Sequence, residues 1–248
     1  MQRRNLLSLG VVGAAWVLAA PTSRAEERAS APAPKPWTGL YATVAVTNDY
    51  RFDGVSSSNR EPTYQALFHL VLPKGLYVGT EVTGVNFLDR PRTSVEVDLY
   101  GGKHFALGRT DLNLEALIVT YPNKRAPGPD YGFAQGQAEV SRSFGAWSVR
   151  GSTAWTPQYS SHTGTAWHLR GGVAYAVAPW LKADVAAGRL VVARGVDRTH
   201  WDAGATASWR RWSLGVRYYG TSLKPARCYY TDWCEGGVSA TLTYRLTP

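Results

Sequence analysis

Between Thr93 and Tyr121 the chain alternates apolar and polar residues in two consecutive runs. In the first, Val95, Val97, Leu99 and Phe105 share one parity, and Glu96, Asp98, Tyr100 and His104 share the other. In the second, Leu112, Leu114, Ala116 and Ile118 alternate with Asp111, Asn113 and Glu115. A period of two marks β-strands, because successive side chains leave a strand on opposite faces. Each run is about 10–12 residues, long for a globular-protein strand but suited to a tilted strand that crosses a bilayer. The tight link Ala106–Arg109 makes the pair an antiparallel hairpin.

The same alternation starts at Trp37 and continues to the C-terminal region. It predicts about twelve strands, near 40–51, 63–72, 76–87, 94–105, 110–121, 132–144, 147–156, 166–177, 180–189, 200–209, 212–219 and 237–246. The connections sort by length. Those after the even runs are tight: Pro73–Gly75, Ala106–Arg109, Gly145–Ala146, Ala178–Pro179 and Arg210–Arg211. Most of those after odd runs are long and polar: Phe52–Pro62, Pro122–Tyr131, Pro157–Thr165, Leu190–Thr199 and Gly220–Gly236, with Leu88–Thr93 of middling size. Short turns at one end and long loops at the other describe a closed antiparallel transmembrane β-barrel, with periplasmic turns and extracellular loops. The competing architecture, a soluble β-sandwich, has Greek-key crossings and no reason to sort its loops.

Composition adds to this picture. Ten Trp and fourteen Tyr stand among 248 residues. Trp147, Trp155, Trp180, Trp201, Trp209 and Trp212 fall at or near strand ends, where interfacial aromatic girdles lie. Lys103 and Arg142 carry the lipid-facing parity, but near short-turn ends, where long cations snorkel to headgroups.

Residues 1–25 read as a signal peptide: Arg3-Arg4, then apolar Leu6–Ala20, then the small-x-small site Ser23-Arg24-Ala25. Arg3-Arg4 fits an ordinary basic n-region and also a twin-arginine signal. Residues 26–36 read as a flexible Ala/Pro-rich lead-in, and 37–248 as the barrel domain. Cleavage removes three arginines and no acid, lowering the net charge from +9 to +6. The cations are scattered with no Lys/Arg run, which excludes a nucleic-acid partner. After the leader no segment approaches about 18 unbroken apolar residues, so no transmembrane helix is expected.

If apolar residues face lipid, the polar parity lines the interior. Six carboxylates then point inward from the third to sixth strands: Glu81, Glu96, Asp98, Asp111, Glu115 and Glu139. Six basic groups point inward from the seventh onward: Arg150, His168, Arg170, Lys182, Arg217 and Arg245, with Asp184 the exception. One acidic wall facing one basic wall sets a transverse field that orients polar solutes. The same charges pairing across so narrow a lumen would plug it.

Cys228 and Cys234 bracket the last long loop. In an exported chain the expectation is a disulfide holding Tyr229, Tyr230 and Trp233 at the surface. Catalysis is the weaker class. The densest Ser/His cluster is Ser160-Ser161-His162, and no GxSxG motif occurs. No His/carboxylate pair shows ligand spacing across paired strands, so neither a metal site nor a cofactor is expected.

A family resemblance enters at the first strand and its loop, Val46-Thr-Asn-Asp-Tyr50-Arg-Phe-Asp-Gly54-Val-Ser56-Ser-Ser58. It continues through Gly75-Leu-Tyr77-Val-Gly79 to Asn86-Phe87, Glu96-Val-Asp98-Leu-Tyr100-Gly-Gly102 and Tyr121-Pro122. In order and spacing these resemble the TorF family of porin-like proteins, also known as Gcw-chp. Asp53 stands where that family usually has Arg. The resemblance implies an outer-membrane barrel with passive transport, no catalytic residues and no defined substrate. Together these readings give an outer-membrane channel for small polar or charged solutes, set in outer-membrane lipid and lipopolysaccharide. The alternative is a non-conducting barrel that binds partners through aromatic loops.

Overall fold

The computed structural model describes residues 39–123, 126–228 and 230–247. The signal peptide and lead-in lie outside the described residues. Among those described, the strands in chain order are β1 (Gly39–Thr47), β2 (Arg51–Phe52), β3 (Val55–Ser56), β4 (Thr63–Val71), β5 (Leu76–Gly84), β6 (Val95–Leu107) and β7 (Thr110–Thr120). Then come β8 (Phe133–Phe144), β9 (Trp147–Thr156), β10 (Ala166–Ala178), β11 (Leu181–Val192), β12 (Arg198–Trp209), β13 (Trp212–Thr221) and β14 (Gly237–Arg245). All but β2 and β3 join one closed antiparallel barrel in sequence order, with β1 pairing both β4 and β14. This is the expected twelve-stranded fold.

Closure leaves no sheet edge. The β1–β14 ladder runs from Thr43↔Arg245 to Thr47↔Thr241. Inside it, hydroxyls link Thr47 Oγ1 to Ser239 Oγ (2.9 Å) and to Thr241 Oγ1 (3.0 Å).

Several boundaries differ from expectation; β5 ends at Gly84 rather than 87, and β6 runs on to Leu107. The first strand stops at Thr47 rather than continuing to 51, and the polar stretch after it turns inward to form β2 and β3. Val191 and Val192 extend β11, and Arg198 extends β12, so their connection shrinks to residues 193–197. β-branched side chains fit the pleat, which is why the ladder runs on there.

The outer face is apolar. Val44, Phe68, Val78, Leu99, Ile118, Val140, Val173, Val185, Val216 and Leu242 all stand exposed on it. A water-soluble barrel would turn this set inward; a membrane barrel shows it to hydrocarbon. Near the short turns lie Trp147, Trp180, Trp209 and Trp212; the Trp147–Tyr175 and Trp212–Tyr244 rings pair at 4.6 Å. At the other end Trp201 covers Gly220, where any Cβ would lie 2.5 Å from the indole. Lys103 and Arg142 sit over the rings of Phe105 and Phe144, at 4.8 and 5.2 Å, close to the short-turn rim.

Val185 is 55% exposed near the middle of β11. Val185→Arg is therefore expected to cost about 2–4 kcal/mol of barrel stability, and Val185→Leu almost nothing. Unfolding in lipid vesicles measures both; equal stabilities would place this face outside the hydrocarbon.

Candidate functional site

The interior divides by strand. Glu81 (β5), Glu96 and Asp98 (β6), Asp111 and Glu115 (β7) and Glu139 (β8) carry the inward parity along one arc. Tyrosines and amides hold several of these carboxylates. Tyr121 donates to Glu96 Oε2 (2.6 Å) and Tyr50 to Oε1 (3.2 Å). Tyr77 reaches Glu115 Oε2 (3.1 Å), and Gln137 Nε2 donates to Oε1 (2.9 Å). Gln65 Nε2 donates to Glu81 Oε1 (3.2 Å). Asp111, partly exposed, lies 3.1 Å from His104 near the short turn. Beside them an apolar interior patch joins Tyr41, Leu67, Tyr77, Tyr100, Leu117, Val119 and Phe133.

Arg150 (β9), His168 and Arg170 (β10), Lys182 (β11), Arg217 (β13) and Arg245 (β14) follow around the other arc. This arc is less basic than its sequence suggested. Asp202 on β12 accepts from both Arg170 and Arg217, and Arg217 also reaches Asp184 (2.6 Å). All four side chains are buried. Buried charges hold their ionised state only when paired in this way. Asp202 and His200 were missed by sequence reasoning, although their alternation with outward Trp201 and Ala203 carries the signal.

The loop after β1 supplies the feature that narrows the interior. Asp53 and Gly54 are both left-handed, with φ of 53° and 79°. Asp-Gly in that conformation makes the two-residue turn that a tight β-hairpin needs. β2 and β3 are its arms. Arg51 is wholly enclosed; it grips Asp49 (2.6 Å) and the carbonyls of Gly54 and Glu235 (3.1 and 2.8 Å). Ser56 Oγ donates to Asp49 Oδ1 (2.7 Å). The hairpin tip presses on the far wall: a Cβ at Gly54 would lie 2.5 Å from the Gly220 carbonyl. Tyr50, at its base, reaches the acidic arc at Glu96. The hairpin thus crosses the interior from one arc to the other.

At the tip, Asp53 meets three basic groups: Arg198 (3.1 Å), His168 (3.1 Å) and His200 (3.3 Å). Burial alone would raise the Asp53 carboxyl, but His168, His200 and Arg198 together hold it well below the usual carboxylate range. His200 reaches His168 by lying across β11 at Gly188, where a Cβ would stand 2.5 Å from the ring. The expectation that no His/carboxylate pair has ligand spacing across paired strands does not bear on this cluster, which no pair of neighbouring strands forms. Asp53, His168 and His200 come together from a loop and two strands that are not neighbours.

The long loop after β13 locks the hairpin in place. Cys228 and Cys234 form the expected disulfide. Trp233, however, is only 7% exposed, while Tyr230 is 85% exposed; Tyr229 lies outside the described residues. Trp233 packs against the disulfide, Val55 and Phe87, and its indole donates to Asn59 Oδ1 (2.9 Å). Its carbonyl accepts from Ser56 N (2.9 Å), tying loop to hairpin. The bridge is therefore a clamp on the hairpin rather than a device for surface display. Replacing both cysteines with serine is expected to loosen this loop by about 2 kcal/mol while the barrel stays folded. Limited proteolysis should then cut between residues 222 and 236, and gel migration should remain heat-modifiable.

Residues 30–247 match the family described as a bacterial protein of unknown function, Gcw_chp. The chain belongs to the Gcw_chp family. The TorF label remains part of the motif resemblance alone. No curated protein matches this Gcw_chp chain in sequence. Solved structures share its fold. It resembles the KdgM porin in complex with disordered oligogalacturonate at TM-score 0.58 and 6% identity, covering 85% of this chain and 99% of that one. It resembles the NanC porin at TM-score 0.54 and 10% identity, over 85% and 100%. A third likeness is the COG4313 outer membrane channel from Pseudomonas putida F1, at TM-score 0.51 and 10% identity over 86% and 96%.

Proposed function

We propose that this Gcw_chp barrel is an outer-membrane channel for passive diffusion of small polar or charged solutes, exported by its N-terminal signal peptide. The observation that carries the reading is an apolar exterior around a charged interior, narrowed by one inward hairpin. Inward residues toward the short turns, including Ser141, Ser143, Arg150 and Lys182, are partly open, whereas those beside the hairpin are buried. This gives a vestibule on one side and a constriction on the other. The carboxylates on β5–β8 and the cations on β9–β14 set the preference among solutes, with the mature chain's net charge of +6 tilting it toward anions. KdgM, seen with oligogalacturonate, supports a solute rich in hydroxyls and carboxylates. Lipid and lipopolysaccharide are the partners of the outer face.

The test is single-channel recording of the wild-type protein in planar bilayers under a salt gradient. Discrete steps with a reversal potential displaced toward anions support the channel. One observation favours a second reading, a closed barrel that binds partners at its surface: Asp49, Arg51, Asp53, Ser56 and Ser58 are all buried, so the hairpin fills the interior around it. No steps, in the wild type or in a chain lacking the hairpin, would establish that reading instead.

A further inference from the structure

We propose that Asp53, His168 and His200 form a binding site for a divalent transition-metal ion of the zinc class, which staples the hairpin to the barrel wall. Three donor atoms converge. Asp53 Oδ1 lies 3.1 Å from His168 Nε2 and 3.3 Å from His200 Nε2, and the two nitrogens are 3.0 Å apart. An ion at about 2.0–2.1 Å from each donor sets them about 3.3 Å apart in a tetrahedron, so the triangle is already close to the required size.

A second observation points the same way. The Asp53 side chain is wholly enclosed, and its Oδ2 is taken by Arg198. Its Oδ1 is buried without a hydrogen bond, although two imidazoles face it. An enclosed carboxylate oxygen left unbonded is costly. A cation between it and the two rings satisfies all three donors at once.

The surroundings decide which ion fits. Two imidazole nitrogens and one carboxylate suit zinc, copper or nickel, whereas magnesium and calcium prefer oxygen ligands. Arg170 Nη1 lies 3.0 Å from His200 Nδ1. With the ion on Nε2, Nδ1 carries the ring proton, and Arg170 turns wholly to Asp202, which it already holds. Arg170 and Arg198 disfavour any ion that gains mostly from charge, which sharpens the preference for strong imidazole binders. His168 is the most exposed of the three ligands, with a side chain 14% accessible, and leaves room for water at the fourth position. Gly188 is part of the site, since any larger residue would push His200 away from His168.

Zinc titrated calorimetrically into the folded, detergent-solubilised full barrel tests this directly, and the readout does not depend on conductance. One saturable site per chain is expected. Binding should weaken by about tenfold or more in His168→Gln and in Asp53→Asn. No saturable binding by the wild type, or equal binding by both variants, overturns the proposal. Should the variants fail to fold, X-ray absorption of the zinc-loaded wild type decides. Two imidazole ligands at about 2.0 Å support the site; one or none overturns it.

Discussion

Arg217→Ala is expected to destabilise the barrel by about 3–5 kcal/mol. Arg217 holds two carboxylates, Asp202 and Asp184, and all three side chains are at most 4% exposed. Removing the guanidinium leaves Asp184 without its ion-pair partner and takes one of its two guanidiniums from Asp202. Water does not reach these oxygens, so the loss approaches the full desolvation penalty rather than the small value of a surface pair. Arg217→Lys should lie between, because one ammonium cannot serve two carboxylates as a forked guanidinium does. Combining Arg217→Ala with Asp202→Asn should cost less than the sum of the two single changes. Denaturant unfolding in micelles, read by gel migration, measures the series. A loss below about 1 kcal/mol would mean that this network is hydrated.

The second large effect is on conduction. Replacing residues 50–57 with a short Gly-Ser linker is expected to raise single-channel conductance severalfold. The barrel should still close, because the β1–β4 ladder from Gly39↔Val71 to Thr47↔Thr63 contains none of the deleted residues. What disappears is the crossing from Glu96 to Arg198, His168 and His200. Selectivity should stay close to that of the wild type, since Arg51 leaves together with Asp53 and the net charge of the interior does not change. Bilayer recording of the shortened chain beside the wild type measures both. Unchanged conductance would remove the hairpin from any gating role.

These two effects also show where the sequence was informative. The twelve barrel strands were legible because lipid and interior impose opposite demands on alternate residues, as in Val95–Phe105 and Leu112–Ile118. The hairpin was not. Asn48–Ser58 has no apolar–polar alternation, and its polar residues Asp49, Arg51, Asp53, Ser56 and Ser58 are the ones that are buried. Its Asp53-Gly54 turn was the available signal, and it registered only as a departure from the family pattern. Partner choice inside the barrel was less legible still. Arg170 meeting Asp202, and His168 meeting His200, each skip over β11, and that depends on Gly188 having no side chain. Parity assigns a face to each residue but says nothing about reach across an intervening strand.

A channel requires the inner face of the wall, not the outer, to meet water. Val173 and Ala174 are neighbours on β10, the first on the exposed outer parity and the second on the partly open inner one. Each is replaced singly by cysteine, with the native disulfide left oxidised, in protein reconstituted in lipid vesicles. A membrane-impermeant thiol reagent should label the cysteine at 174 and spare the one at 173. Labelling at 173 with protection at 174 would contradict the account.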